Sequence, residues 1–297
     1  MLLEPLNPRS RLLRWPLKAA FVTTVTLLVC YPNPARLASH LAHWSDPGSL
    51  IEPDEPSLAP LAEEVEQYLL RFATPPDAGV VLDAVQHLVT ERIQYAWDWD
   101  TWGCCDYLPT VAETMQRGRE DCDGRAVVAA SILRKLGYES RLMTDGSHMW
   151  VWTASGETMD PMPTASGRTL LRTTETGTKV DLLAVIGVRA LLVDWPKNLA
   201  YGAAVFPPAR VGLIAAAIVL CWFRSRPGLL NLGGGLGLMV SGLYAWRHLC
   251  DDPWNNSLPG AWLGIGLCLL ALGVASMSGP GRGDEEPSGT VGETPNL

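Results

Sequence analysis

Several features are missing from this chain, and each absence narrows what it can be. No two of its seven cysteines have the C-x-x-C spacing, which excludes a thioredoxin-type dithiol and a zinc ribbon. Basic residues are scarce: 23 lysines and arginines face 31 aspartates and glutamates, for a formal net charge of −8. Residues 32–208 are more acidic still, with 14 basic side chains against 24 acidic ones. Contact with phosphates needs a basic face, so the balance argues against nucleic acid as a partner. No apolar run reaches the roughly 20 residues of a complete spanning helix. Nor does a small-x-small cleavage site follow the first run, because Asn33 precedes Pro34-Ala35 and Arg36 stands two before Ala38. An uncleaved anchor is therefore expected in preference to a signal peptide.

Hydrophobic residues nevertheless make up 47% of the chain, and the mean hydropathy of +0.10 is high for a soluble protein. Four apolar stretches account for it, at 18–31, 210–223, 229–246 and 261–277, and flanking Trp, Tyr and Pro residues can complete each span. Ionisable groups are almost absent from them, which argues against a transporter or channel. Arg9, Arg11, Arg14 and Lys18 before the first stretch, with Arg224 and Arg226 between the second and third, mark the cytoplasmic side. The expectation is a multi-pass membrane protein with one N-terminal and three C-terminal transmembrane helices. Residues 32–208 then lie outside the cytoplasm.

The organisation read from composition is a basic start and first anchor at 1–31, a linker or irregular wrap rich in Pro and acid at 32–60, and a folded domain at 61–208. Three transmembrane helices follow at 209–277, then a disordered acidic tail at 278–297. In the linker, His40 and His43 are three apart with no third ligand nearby, so they read as a surface helical turn. Cys30, Cys221 and Cys268 fall in apolar spans and read as small hydrophobes. That leaves Cys104, Cys105, Cys122 and Cys250 for chemistry. The vicinal pair Cys104-Cys105 reads either as a strained disulfide or as two packed thiols in a tight loop.

Within the folded domain, apolar residues recur at three and four from Leu61 and again after Asp77, predicting two packed helices. His87 falls on the second and reads as a face residue. A loop dense in Trp and Asp leads through Pro109-Thr110 into a short helix. Next comes "REDCDGRAVVAASILRKLG": Asp121 as N-cap, an apolar stripe of Ala126, Ala129, Ala130, Leu133 and Leu136, and Gly137 as the stop. Cys122 is thereby placed on the first helical turn. Beyond Gly137 the period becomes two, and Asp145-Gly146 and Ser155-Gly156 separate three short strands joined by hairpin turns. His148 opens the central strand, and Asp160 closes the third. Residues 180–195 read as an amphipathic helix docked on the domain or on the bilayer surface. The fold class is α+β.

A cysteine at a helix N-terminus, followed by a histidine and an aspartate on adjacent strands, is the order a thiolate acyl-transfer site requires. The helix end favours the thiolate, the imidazole takes and returns the proton, and the carboxylate fixes the tautomer.

The run from Gly118 to Met162, with its Cys-x-x-x-Ala helix, Leu-Gly-aromatic turn, His-x-Trp strand and closing Asp-Pro, resembles the core of the transglutaminase-like superfamily. The stretch before it, from Gln94, is similar to the approach to the nucleophile in bacterial transglutaminase-like cysteine proteinases. Together they cover roughly residues 85–162. The resemblance implies a papain-like α+β fold, with helices packed on a small antiparallel sheet. It also implies Cys122 as nucleophile, His148 as general base and acid, and Asp160 as the residue that orients His148. Tyr95 and Trp97 become candidate oxyanion donors beside the Cys122 backbone amide. One position departs from the pattern: the residue two before the cysteine, usually Gly, is Glu120.

The acids flanking Cys122 pose a physical difficulty. Unit charges about 4 Å apart interact by about 4 kcal/mol at an effective dielectric of 20, enough to suppress a neighbouring thiolate. The expectation is that Asp121 caps the helix while Asp123 turns outward to Arg119 or Arg125. Some proteinases of the resembled kind bind calcium through acids beside the cysteine, which makes Asp121 and Asp123 candidate calcium ligands; the chemistry itself requires no cofactor.

The function expected is a membrane-anchored thiol enzyme acting on the peptide or amide bonds of a protein substrate through a Cys thioester, foremost as a hydrolase. The alternative is an inactive binding or scaffold module that keeps the fold in a membrane complex. The paired C-terminal helices, including the Gly-rich span at 229–246, offer a docking surface for another membrane protein.

Overall fold

The computed structural model describes residues 11–72, 76–159, 169–174, 177–222, 229–251 and 257–276. The chain begins with α1 (Arg11–Cys30) and α2 (Pro34–Ser45) and continues through α3 (Ala59–Leu69) and α4 (Ala78–Arg92). Asp77 starts α4, its Oδ1 accepting the Val80 N–H at 3.0 Å. A two-residue strand, β1 (Gln94–Tyr95), is followed by the single-turn α5 (Asp98–Thr101) and by α6 (Val111–Arg117). Thr110 and Glu113 form a reciprocal capping box at the start of α6, and Gly118 ends it with φ +64°. Then come β2 (Arg119–Glu120) and α7 (Cys122–Lys135). The hairpin β3 (Ser140–Thr144) and β4 (Met149–Thr153) continues into β5 (Gly156–Thr158), and β6 (Leu171–Thr174) pairs with β7 (Gly177–Val180).

The five strands from β3 to β7 form one antiparallel sheet in the order β5-β4-β3-β6-β7. The three strands expected from the period-two pattern are present, and β6 and β7 extend the sheet at its other edge. The fold is α+β. Its core is α7, whose residues Ala126 to Ala130, Ile132 and Leu133 are all fully buried. Small alanines let this helix lie close between α4 and the sheet, against Val85, Val89, Leu142 and Val151.

Of the two readings of residues 32–60, the wrap holds and the free linker does not. Asn33 caps α2 through the Ala35 amide, and Leu50, Ile51 and Leu58 are buried in the core beside α7. His40, read as part of a surface turn, is buried, with Nδ1 accepting the Leu108 N–H at 3.3 Å and Nε2 3.7 Å from Asp106. Desolvation holds the His40 imidazole below its usual range. His43 Nδ1 meets the Leu108 carbonyl at 2.5 Å. Both imidazoles thus tie α2 to the loop before α6. His87 is exposed, 3.7 Å from Glu91 one helical turn on.

After the sheet, the segment expected to be one amphipathic helix is broken into α8 (Leu182–Ile186), a π-turn at Ala190–Asp194 and α9 (Trp195–Val205). Leu182, Leu183, Ile186, Val188, Leu191 and Leu192 remain exposed along it. Helices occupy the three later apolar stretches: α10 (Pro208–Trp222), α11 (Leu229–Leu249) and α12 (Leu258–Ser276). Among the described residues, one helix is long and apolar enough to cross a membrane, α1 over Leu13–Cys30. The apolar parts of α10 and α12 are shorter, Pro208–Val219 and Leu258–Val274.

The glycines of the third apolar stretch are used within the chain. A Cβ on Gly242 would meet Cys268 Sγ and the Gly264 carbonyl, while the Trp246 indole lies over Gly264 and donates to the Ala261 carbonyl at 3.0 Å. Two contacts join the apolar helices α1 and α10 to the domain. The Cys105 amide donates to the Cys30 carbonyl at 2.9 Å, and Arg210 Nη1 donates to the Gly103 carbonyl at 2.9 Å.

Candidate functional site

Cys122 is the first residue of α7, and Asp121 before it is the N-cap, its Oδ1 accepting the Asp123 N–H at 3.1 Å. The helix start therefore stands where the sequence pattern puts it, with the thiol half-buried. The Met149 backbone amide acts on the Cys122 sulfur, opposing the rise in its pKa. That amide belongs to the peptide unit joining His148 to Met149, so the start of β4 lies directly against the start of α7. His148 precedes Met149 in the chain and so stands next to the residue that acts on Cys122.

Two further devices fix His148. In the β3–β4 turn, Asp145 Oδ1 accepts from the Ser147 N–H and hydroxyl, both at 2.9 Å, and from the His148 N–H at 3.0 Å. At the ring, Nε2 lies 3.3 Å from the Met159 carbonyl. A carbonyl can only accept, so Nε2 carries the proton and Nδ1 is the basic nitrogen. The imidazole also lies parallel to Trp150, 13° apart with centroids at 6.3 Å.

Met159 is held in turn. Its N–H donates to Gln86 Oε1 at 2.9 Å, and the Thr158 hydroxyl reaches the same oxygen at 3.2 Å. Met159 has φ +65°, the only non-glycine among the described residues with positive φ, and that conformation costs free energy unless neighbours impose it. Gln86, on α4, thus positions the backbone acceptor of His148. The sequence pattern did not single it out. Asp160, expected to orient His148, lies outside the described residues.

The acids beside the cysteine are arranged differently from the expectation. Asp123 does not turn outward: its Oδ1 accepts from the Cys122 thiol at 3.4 Å. Both arginines are engaged elsewhere, Arg119 on the Asp100 carbonyl at 2.7 Å and Arg125 on the Ile93 carbonyl at 3.0 and 2.5 Å. Burial, and then the Asp123 and Asp121 carboxylates, push the Cys122 thiol well above its usual range, with the Met149 amide opposing them.

Glu120, where the resembled pattern has Gly, is fully buried. Its Oε2 accepts from the Trp102 indole at 2.6 Å, and its Oε1 accepts the Asp121 N–H at 3.1 Å. The side chain crosses the bare Cα of Gly124, one turn into α7, where any Cβ would overlap Glu120 Cγ. It fills a notch behind the helix start.

Asp98 shares that pocket at 2% exposure. Its Oδ2 accepts the Tyr107 N–H at 2.6 Å, while its Oδ1 has no donor. Ligand oxygens of Asp98, Glu120 and Asp121 lie within 4.8 Å of one another, as do ligand atoms of Asp121, Cys122 and Asp123. Burial drives the Asp98 carboxyl well up and Glu120 up as well. Such a cluster holds together around a proton, with neutral Asp98 donating to Glu120, or around a cation. The orphaned Asp98 oxygen and the all-oxygen donor set suit a hard ion such as calcium.

The parallel pair β1–β2 sets Tyr95 beside Glu120. The Tyr95 side chain is 51% exposed, and its hydroxyl is pushed up by desolvation and then by the charges of Cys122 and Asp121. The Arg125 guanidinium lies 5.2 Å from the Tyr95 ring centre. Trp97 is committed differently, stacked on Trp99 at 4.9 Å and facing Tyr201 of α9 at 6.3 Å. Of the two oxyanion candidates, Tyr95 lies exposed on the short strand paired with Glu120, and Trp97 is engaged in an aromatic cluster.

Comparison of the chain with protein-family models, curated proteins and solved structures finds no match.

Proposed function

We propose that the protein is a membrane-anchored thiol enzyme with a papain-like, transglutaminase-like core, acting on peptide or amide bonds of a protein substrate. The observation that supports this reading is that Cys122 starts α7 with the Met149 amide, the residue after His148, acting on its sulfur, while the Met159 carbonyl leaves His148 Nδ1 as the base. Cys122 attacks the substrate carbonyl as His148 Nδ1 takes the thiol proton. The tetrahedral intermediate collapses to a thioester as that proton passes to the leaving amine, and water activated by His148 releases the acid. The Cys122 amide at the helix start and the Tyr95 hydroxyl are the oxyanion donors. Asp160, which follows Met159, fits the orienting role.

Asp98, Glu120 and Asp121 would hold calcium, with Asp123 at its edge; the ion would cancel negative charge that otherwise opposes the thiolate. In the multi-pass reading, α1, α10, α11 and α12 cross the membrane. The basic residues near the first and between the second and third stretches put the domain on the extracytoplasmic side. Another membrane protein could dock on the outer faces of the C-terminal helices.

The second reading, a non-catalytic module, is favoured by one observation, the Cys122 thiol donated to Asp123. Iodoacetamide labelling at neutral pH separates the two. An enzyme shows Cys122 labelling faster than a free thiol in the presence of calcium, slowed strongly by His148→Ala and abolished by Cys122→Ala. A wild-type Cys122 no faster than a free thiol, with and without calcium, rejects the thiol mechanism. Substrate profiling against the Cys122→Ala chain then identifies the acceptor, since water gives hydrolysis and an amine gives transfer.

A further inference from the structure

A second pair of cysteines meets away from Cys122. Cys30 ends α1, and Cys105 lies in the loop between α5 and α6. The Cys105 amide donates to the Cys30 carbonyl at 2.9 Å. That bond brings the two backbones into direct contact, and disulfides span Cα separations of about 4.4–6.8 Å. The two side chains face each other closely enough for the Cys105 thiol to interact with the Cys30 sulfur. Cys104, the neighbour in sequence, is committed elsewhere: it is 1% exposed, and its Sγ donates to the Asp106 carbonyl at 3.7 Å.

We propose that Cys30 and Cys105 are a disulfide site that ties the end of the N-terminal helix to the loop beside the acid cluster. The oxidant is the disulfide of a dithiol oxidoreductase, or oxidised glutathione in vitro. One thiolate of the pair attacks a sulfur of that disulfide and expels the first reduced thiol. The other then attacks the mixed disulfide and expels the second. The two cysteines lose two electrons and two protons, and the oxidant's disulfide gains them. The site needs no reactivity at Cys122, so the pair can form whether or not the thiol-enzyme reading holds.

The full-length chain, purified in detergent and treated with oxidised glutathione, is alkylated, digested and weighed by mass spectrometry. The expected product is a Cys30 peptide joined to the Cys105 peptide, two hydrogens lighter than the separate pair and parted by dithiothreitol. The link persists in Cys104→Ser and disappears in Cys105→Ser. Full alkylation of Cys30 and Cys105 overturns the proposal, as does a Cys104-Cys105 link or a Cys30 link that Cys104→Ser removes.

Discussion

Glu120 occupies the volume that a side chain at Gly124 would need, so a strand residue and a helix residue four apart are fitted to one another. The departure from the resembled pattern, Glu for Gly two before the cysteine, is accommodated by an absence of side chain one turn later. The carboxylate goes to Trp102 and the Asp121 amide, and the thiol keeps its own neighbours.

Gly124→Ala should therefore destabilise the fold by about 2–3 kcal/mol, the range of an overpacked core. Adding Glu120→Ala empties the notch and should recover part of that loss. Denaturant melts of both variants in the full chain check the coupling; simply additive losses would show that the two sites do not interact.

Gln86→Leu removes the acceptor of the Met159 N–H and should cost about 1–3 kcal/mol of stability, as expected for an orphaned buried donor. Because Met159 in turn accepts from His148, the same variant should lower kcat more than it raises KM and alter the pH profile. Gln86→Glu keeps the acceptor and should restore the profile. A stability change with an unaltered profile would confine Gln86 to the fold.

Asp123→Asn removes the charge nearest the thiol and should lower the midpoint of Cys122 labelling against pH. A tenfold faster reaction at pH 7.5 corresponds to about 1.4 kcal/mol less opposition to the thiolate. Stopped-flow alkylation across pH 6 to 10 reads this directly, and an unmoved midpoint would release Asp123 from controlling the sulfur.

The raised carboxyls give a definite sign to the pH dependence of stability. A folded carboxyl that keeps its proton above the unfolded range contributes stability that is complete at acid pH and is lost as pH rises through its folded value. Asp98, Asp121 and Asp123 are all raised. In chelator, the melting temperature should climb as pH falls from 8 towards 5. Asp98→Asn, which keeps the neutral form at every pH, should raise stability at pH 8 by about 1 kcal/mol and flatten the slope. Calcium should raise the melting temperature most at high pH, where the cluster is most charged. A melting temperature that falls on acidification would contradict the buried-proton account.

The parts of this fold that could be read from sequence are those with local causes. Helix α7 announces itself through Asp121 at its start and Gly137, with φ +89°, at its end, and the β3–β4 turn through Asp145-Gly146. Cys122 and His148 were placed by those same signals. Residues 32–60 misled because the core-forming Leu50, Ile51 and Leu58 are scattered among prolines and acids with no period. Strands β6 and β7 escaped because their threonines and charges show no apolar alternation. The roles of Gln86 and Asp98 depend on partners brought in by tertiary packing, as with Gln86 and Met159, 73 positions apart.

The loop at 102–107 carries a mechanical implication. On one side it is held by the end of α1, through Cys30, and by α10, through Arg210; on the other its Trp102 indole anchors Glu120. A tilt of either helix displaces this strap and loads the hydrogen bond to Glu120. If α1 and α10 cross a bilayer, as proposed, its thickness becomes a variable transmitted to the carboxylates beside the cysteine.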